Sequence, residues 1–238
     1  MLSDLLYSLK ETEFFFNLFG YISFRSGLSL VTSFFIVIIL MPHWIRFQKS
    51  IFPSGQPIRN DGPDTHYHKK GTPTLGGVLI LFSIILSSIL WTSNFSSFNY
   101  ILILTLTLFG LIGFIDDFQK VKLGKGISSR TKFLSQLLAT IIIYLTVRYN
   151  GYDLNKFSIP FLKDVSIELG YLYFVLILLI VVGSTNATNL TDGLDGLVSM
   201  PLIFVFLTFA IFAYVLGNIN FSNYLLVNYM KGSGEIVI

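Results

Sequence analysis

The sequence predicts an all-α fold, a polytopic transmembrane helix bundle of about six spans. Three observations carry this. The chain is oily: of 238 residues, 53% are hydrophobic and 12% charged, with a mean hydropathy of +0.71, where a soluble domain carries about 25% charged residues. The apolar residues lie in blocks, and several reach the roughly 17 to 25 residues a bilayer-crossing helix needs. The loops between the blocks alternate between strongly basic and weakly basic. The whole chain, residues 1–238, reads as a single transmembrane domain.

The first span is expected at Leu28–Trp44, the second at Leu75–Trp91 and the third at Tyr100–Ile115. The fourth is expected at Phe133–Tyr149, the fifth at Leu169–Ser184 and the sixth at Leu197–Leu216. The stretch ETEFFFNLFGYISF before the first span is apolar but punctuated by charge and glycine. It reads as an interfacial segment or an early extension of the first helix. Lys10, Glu11, Glu13 and Arg25 precede the first block, and no small-residue cleavage pattern follows it, so no cleavable signal is expected. Pro201 falls in the first turns of the sixth span, where its missing donor does least harm. With no cysteine, a disulfide, a zinc–thiolate site and a thiol nucleophile are excluded. The net charge of +3 is small and gives no nucleic-acid signature.

Orientation follows from Lys and Arg in the loops. Arg46, Lys49, Arg59, Lys69 and Lys70 fall in the loop 45–74, and Lys120, Lys122, Lys125, Arg130 and Lys132 in the loop 116–132. The opposite side holds Lys10, Arg25, Arg148, Lys156, Lys163 and Lys231. Ten against six marks the first set as cytoplasmic. The loop after the fifth span joins it by an even count of crossings, and both termini are expected outside.

The polar chemistry gathers on that face. In GSTNATNLTDGLDGL, residues 183–197, Asn186, Asn189, Asp192 and Asp195 recur at three-residue steps, and such neighbours share one face of a helix. Carboxylate and amide oxygens are hard ligands that suit Mg²⁺, which takes one or two protein carboxylates and fills its shell with water and substrate phosphate. The competing explanation is a turn in which an Asp caps the sixth helix. Asp116 and Asp117 stand side by side at the end of the third span. Neighbours on a helix point about 100° apart, so the pair is expected to split roles rather than share one contact equally. One would face a metal or substrate, and the other would orient it or pair with a lysine. Two adjacent carboxylates also push their pKa values apart; the alternative is a solvated helix end. Lys69 and Lys70 precede Gly71 and a glycine-bounded turn that opens a helix, a setting that attracts phosphate, although lysines here also serve as plain positive-inside anchors. His66 and His68 have no partner histidine and are read as non-ligands. Lys132 begins the fourth span and is the best fixed of the basic residues in its loop. From the residues alone, such a site suits metal-assisted phosphoryl transfer between a soluble nucleotide-like donor and a lipid phosphate.

The segments KKGTPTLGG, GFIDDFQK, RTKFLSQ and NATNLTDGLDGL, in that order and loop placement, resemble the polyprenyl-phosphate N-acetylhexosamine-1-phosphate transferase superfamily (glycosyltransferase family 4), and GTPTLGG resembles its phospho-N-acetylmuramoyl-pentapeptide-transferase branch. The resemblance implies transfer of phospho-MurNAc-pentapeptide from UDP-MurNAc-pentapeptide to undecaprenyl phosphate, giving lipid I and UMP in peptidoglycan synthesis, with Mg²⁺ as cofactor. It implies a multi-pass protein of the bacterial cytoplasmic membrane, with its site on the cytoplasmic face. It also implies catalytic roles for Asp116, Asp117 and Asp192, with Asp117 and Asp192 toward the metal, and substrate contacts for Lys69, Lys70, Lys132, Asn186 and Asn189. Which aspartate is the base stays open, as does the oligomeric state, a homodimer included. The superfamily has roughly ten spans, with a further aspartate motif and a histidine-rich loop after the sixth. Here the sequence ends at GSGEIVI, where a seventh span would start, and its histidines are His43, His66 and His68. The chain is therefore expected to be the N-terminal two thirds of the family domain. Two alternatives follow, a sibling transferase using a plain UDP-N-acetylhexosamine and an inactive membrane fragment. A transporter would place its polar groups near the bilayer midplane, not at the helix ends.

Overall fold

A computed structural model of the chain describes residues 1–53, 73–159, 165–191 and 196–238. Helices occupy all six expected positions: α2 (Ile22–Ile51), α3 (Gly76–Trp91), α4 (Ser97–Leu123), α5 (Ser129–Tyr149), α6 (Leu172–Thr191) and α7 (Ser199–Leu216). Four of them, α2, α4, α6 and α7, are long and apolar enough to cross a membrane. The shorter α3 has 16 residues, and α5 opens with the polar run Ser129–Lys132. A short α1 (Leu2–Ser8) precedes them, and α8 (Ile219–Tyr224) follows. The expected early extension of the first helix is present in part: α2 begins at Ile22, six residues before the expected span, while Phe14–Gly20 form a tight 3₁₀ segment, with Tyr21 extended between it and α2.

The helices outrun the expected spans, chiefly at the basic end. α2 continues past Trp44 to Ile51, α4 runs past Asp116 and Asp117 to Leu123, and α6 runs past Ser184 to Thr191. Hydropathy marks only where a helix leaves the apolar layer, whereas backbone hydrogen bonding carries it on until a cap. For α4 the stop is Gly124, at φ +73°, a left-handed conformation that glycine adopts without a Cβ clash. For α5 the start is Ser128, whose hydroxyl oxygen accepts from the Thr131 N–H at 3.2 Å. Pro201 sits in the first turn of α7, as expected. One element was not foreseen: a two-stranded antiparallel hairpin, β1 (Lys156–Ser158) with β2 (Ser166–Glu168), in the α5–α6 connection.

Small polar and small apolar side chains lie between the helices. Ser29, Ser83, Ser87, Ala139 and Thr140 are buried, while long apolar side chains such as Phe204, Phe206 and Phe209 point outward. Lipid is as apolar as a leucine core, so packing favours small residues inside. The hydroxyls of Ser83, Ser87 and Thr140 turn back to their own helix, as Thr140 does to the Gln136 carbonyl at 2.8 Å. The two tryptophans staple α2 to α3 at both ends. Trp91 Nε1 donates to Thr32 Oγ1 at 2.9 Å and Trp44 Nε1 to the Leu75 carbonyl at 3.0 Å.

The six helices alternate in direction, and contacts sort their ends. At one end Phe52 packs on Phe118, with ring centroids 6.0 Å apart, and the α4–α5 turn folds onto Asp116. At the other end Arg25 meets Glu235, Ser29 meets the Ile238 carbonyl and Ser97 meets Tyr152. The segment 233–237 is a single 3₁₀ turn packed on α7, where Gly217 and Gly234 touch backbone to backbone with no space for a Cβ.

Candidate active site at the basic helix ends

The centre of the site is built by α4 and the turn after it. Asp116 is 8% exposed. Its Oδ1 accepts from the Ile127 N–H at 3.0 Å, and its Oδ2 lies 2.8 Å from Lys120 Nζ. Asp117 is more open, and its Oδ1 also lies 2.8 Å from Lys120 Nζ. The expectation that the two aspartates could not share one contact is corrected here. Lys120 lies four residues beyond Asp116 and three beyond Asp117, and both spacings bring side chains together on a helix surface. A long flexible ammonium between those two positions reaches both carboxylates.

The pair is nevertheless not symmetric. Both oxygens of Asp116 are engaged inside the protein, while Asp117 Oδ2 has no partner among the described residues. The turn that covers Asp116 requires Gly126. A Cβ there would fall 2.5 Å from Asp116 Oδ1 and 3.1 Å from Lys120 Cε. Lys120, Gly126 and the Ile127 amide were missed as site elements. Lys120 was read as one of several topology-setting lysines, although its spacing from the two aspartates was visible. The covering turn had no comparable signal, since a backbone N–H carries no sequence signature.

A second set of candidate residues lies between α5 and α6. Asn186 and Asn189 are both on α6, in line with the expected helical stripe. Asn186 is half-buried and Asn189 exposed. Asn186 Nδ2 donates to the Val182 carbonyl at 2.9 Å and to Gln136 Oε1 on α5 at 3.0 Å. Lys132 is half-buried in the first turn of α5, where its N–H donates to the Ser128 carbonyl at 2.9 Å. Beside these, a cavity of about 10 Å³ lies among Gln48, Phe52, Pro73, Thr74, Leu75 and Val121, which is room for about one water. The candidates Lys69, Lys70 and Asp192, together with His66, His68 and Asp195, lie outside the described residues.

For a divalent cation, no group of three His, Cys, Asp or Glu comes together among the described residues. Asp117 Oδ2 is one available hard oxygen. That donor set fits Mg²⁺, which retains several waters and takes one or two carboxylates plus substrate phosphate. It would not complete the larger protein cage that Ca²⁺ prefers.

The match with known proteins follows the same segments. Residues 99–232 match the family model described as glycosyl transferase family 4. Over its whole length, the chain is 39% identical to a phospho-N-acetylmuramoyl-pentapeptide-transferase of Rickettsia prowazekii (strain Madrid E). It is 45% identical, again over its whole length, to a protein of the same name from Desulforapulum autotrophicum. In each case it spans 67% of the relative's length. The aspartate pair, the turn folded over it, and the α5–α6 amides all fall within the matched region, and the chain belongs to glycosyl transferase family 4.

Proposed function

We propose that the chain catalyses transfer of phospho-MurNAc-pentapeptide from UDP-MurNAc-pentapeptide to undecaprenyl phosphate, forming lipid I and releasing UMP. The observation that carries this is the identity of 39% and 45%, over the whole of this chain and 67% of each relative, to two proteins named for that transferase. The geometry supports the same chemistry. A helix end offers one anchored carboxylate, one carboxylate with an oxygen that has no partner among the described residues, and a lysine at the mouth of the next helix.

In this reading an oxygen of the lipid phosphate attacks the sugar-bearing phosphorus of the donor. A bond forms from that oxygen to phosphorus, the bond to the bridging pyrophosphate oxygen breaks, and UMP leaves with the electron pair. Asp117, whose Oδ2 has no partner among the described residues, is the group assigned to approach the reacting phosphates. Asp116 fixes Lys120 and the 124–128 turn, and so sets where Asp117 stands. Lys132 supplies positive charge where phosphate charge is handled. Lys69 and Lys70 are assigned to donor phosphate, Asn189 to the donor nucleotide and Asp192 to catalysis, on sequence position. Mg²⁺, held by Asp117 and Asp192, would neutralise phosphate charge and polarise the bond to be broken. The excess of Lys and Arg in the loops at this end supports a site on the cytoplasmic face of a bacterial inner membrane.

The test is UMP release by the purified chain in detergent, from UDP-MurNAc-pentapeptide, undecaprenyl phosphate and Mg²⁺. Turnover that disappears in Asp117→Asn supports the reading. A folded chain with no turnover, or one that prefers UDP-N-acetylglucosamine in competition, overturns it.

A further inference from the structure

Gln136 is 1% exposed and has no assigned part in the chemistry above. Its one side-chain contact of note is the hydrogen bond from Asn186 Nδ2 at 3.0 Å, across the α5–α6 interface. The other Nδ2 bond of Asn186 goes to the Val182 carbonyl, one turn back on its own helix, at 2.9 Å. A carbonyl oxygen can only accept, so the Asn186 atom facing it is the amide nitrogen. That removes the usual ambiguity between the two ends of an asparagine side chain. An amide NH₂ has two hydrogens, and here both are committed inside the protein. The group left to act on anything else is Oδ1, which has no partner among the described residues.

The Gln136 side is equally constrained. Its own carbonyl accepts from Thr140 Oγ1, and Ala139, Thr140 and Ile143 are buried along the same helix. Its Oε1 is therefore presented from a packed surface rather than from a mobile loop. Without it, the Asn186 amide is held by the Val182 carbonyl alone, one of its N–H groups is released, and that N–H is able to meet a phosphate or carbonyl oxygen.

We propose that Gln136 is a positioning residue that locks the Asn186 amide so that Asn186 meets the donor nucleotide-sugar only as a hydrogen-bond acceptor. The group it takes is then an N–H or O–H, from an amide, a hydroxyl or a cation-bound water, and not a phosphate oxygen. This rests on the transferase reading for the identity of the donor; the lock itself rests on the two hydrogen bonds.

The experiment is a double-mutant cycle with Gln136→Met and Asn186→Ala, reading turnover and, separately, equilibrium binding of UDP-MurNAc-pentapeptide to the full chain in detergent. Loss of an orienting partner typically costs about 10- to 100-fold where it acts through a ligating side chain, and Gln136→Met should weaken donor binding and raise donor KM by about that range. The change should appear in donor KM rather than in kcat or in the KM for the lipid. Gln136→Glu keeps an acceptor oxygen at the cost of a buried charge, and should bind the donor more tightly than Gln136→Met does. In the Asn186→Ala background, Gln136→Met should add nothing, because its effect runs through Asn186. Unchanged donor binding in a folded Gln136→Met protein would overturn the proposal, as would a full additional loss in the Asn186→Ala background. If Gln136→Met does not fold, the Gln136→Glu comparison decides, and a loss there as large as in Asn186→Ala sinks the lock. A parent chain that binds the donor but releases no UMP would overturn the transferase reading alone, since the binding arm still reads the lock.

Discussion

Arg25 and Glu235, 210 positions apart in sequence, form a two-pronged ion pair at the end of the bundle away from the aspartates, with NH1 and NH2 each 2.7 Å from a carboxylate oxygen. Both side chains are buried. Arg25 also donates to the Trp91 carbonyl, the Ser93 N–H donates to Glu235, and Asn99 Nδ2 donates to the Glu235 carbonyl. One pair thus ties α2, the α3–α4 turn, the start of α4 and the segment after α8.

Removing one member of such a pair strands the other charge in a dry site. Glu235→Gln or Arg25→Met should each destabilise the fold by about 3–5 kcal/mol, whereas replacing both with apolar residues should cost far less. Thermal unfolding in detergent reads this directly. Single substitutions that leave the midpoint unchanged would mean the pair is already solvated.

Gly126→Ala tests the turn over Asp116. The added Cβ would meet Asp116 Oδ1 at 2.5 Å, so either the turn or the carboxylate must move, and overpacking of this kind costs about 1–3 kcal/mol. The strain falls at the site, so UMP release should fall about tenfold or more, since 1.4 kcal/mol is a factor of ten, and the unfolding midpoint should drop by about 2–4 °C for each kcal/mol of strain. Normal turnover in Gly126→Ala would show that the position of Asp116 does not matter to the reaction.

The number and order of the main helices were legible because apolar length is a coarse, additive signal. Hydropathy could not see the extra turns of α2, α4 and α6, because nothing in an apolar count says where backbone hydrogen bonding stops. The site divided along a similar line. The aspartates and asparagines stood out by type and spacing. Lys120 did not, because a lysine in a basic loop has an ordinary explanation, and only the geometry shows it held between two carboxylates. Arg25 enters the sequence reading only as one of the basic residues of the opposite side, because its partner Glu235 lies at the far end of the sequence, where no local pattern links them.

Lys120→Met removes the cation shared by Asp116 and Asp117. The two carboxylates then repel at close range, and Asp116 keeps only the Ile127 N–H. Turnover should fall at least as far as in Gly126→Ala. Lys120→Arg keeps the charge, but its planar guanidinium replaces a compact point charge, so it should recover only part of the activity. Equal activity in all three proteins would show that the bridge has no catalytic consequence.

Asp117 Oδ2 is the carboxylate oxygen of the pair without an internal partner among the described residues, which gives the metal reading a specific form. Chelation of divalent cations should stop UMP release, and Mg²⁺ added back should restore it. Ca²⁺ should restore it poorly, because it prefers six to eight oxygens at longer and more variable distances. Asp117→Asn keeps the shape but removes the negative charge, so it should both depress turnover and raise the Mg²⁺ concentration needed for half-maximal rate. Asp116→Asn should instead lower turnover with little change in that concentration, because both Asp116 oxygens are spent on Lys120 and the Ile127 N–H. A reversed pattern, with Asp116→Asn shifting the Mg²⁺ requirement and Asp117→Asn not, would move the metal ligand to the buried member of the pair.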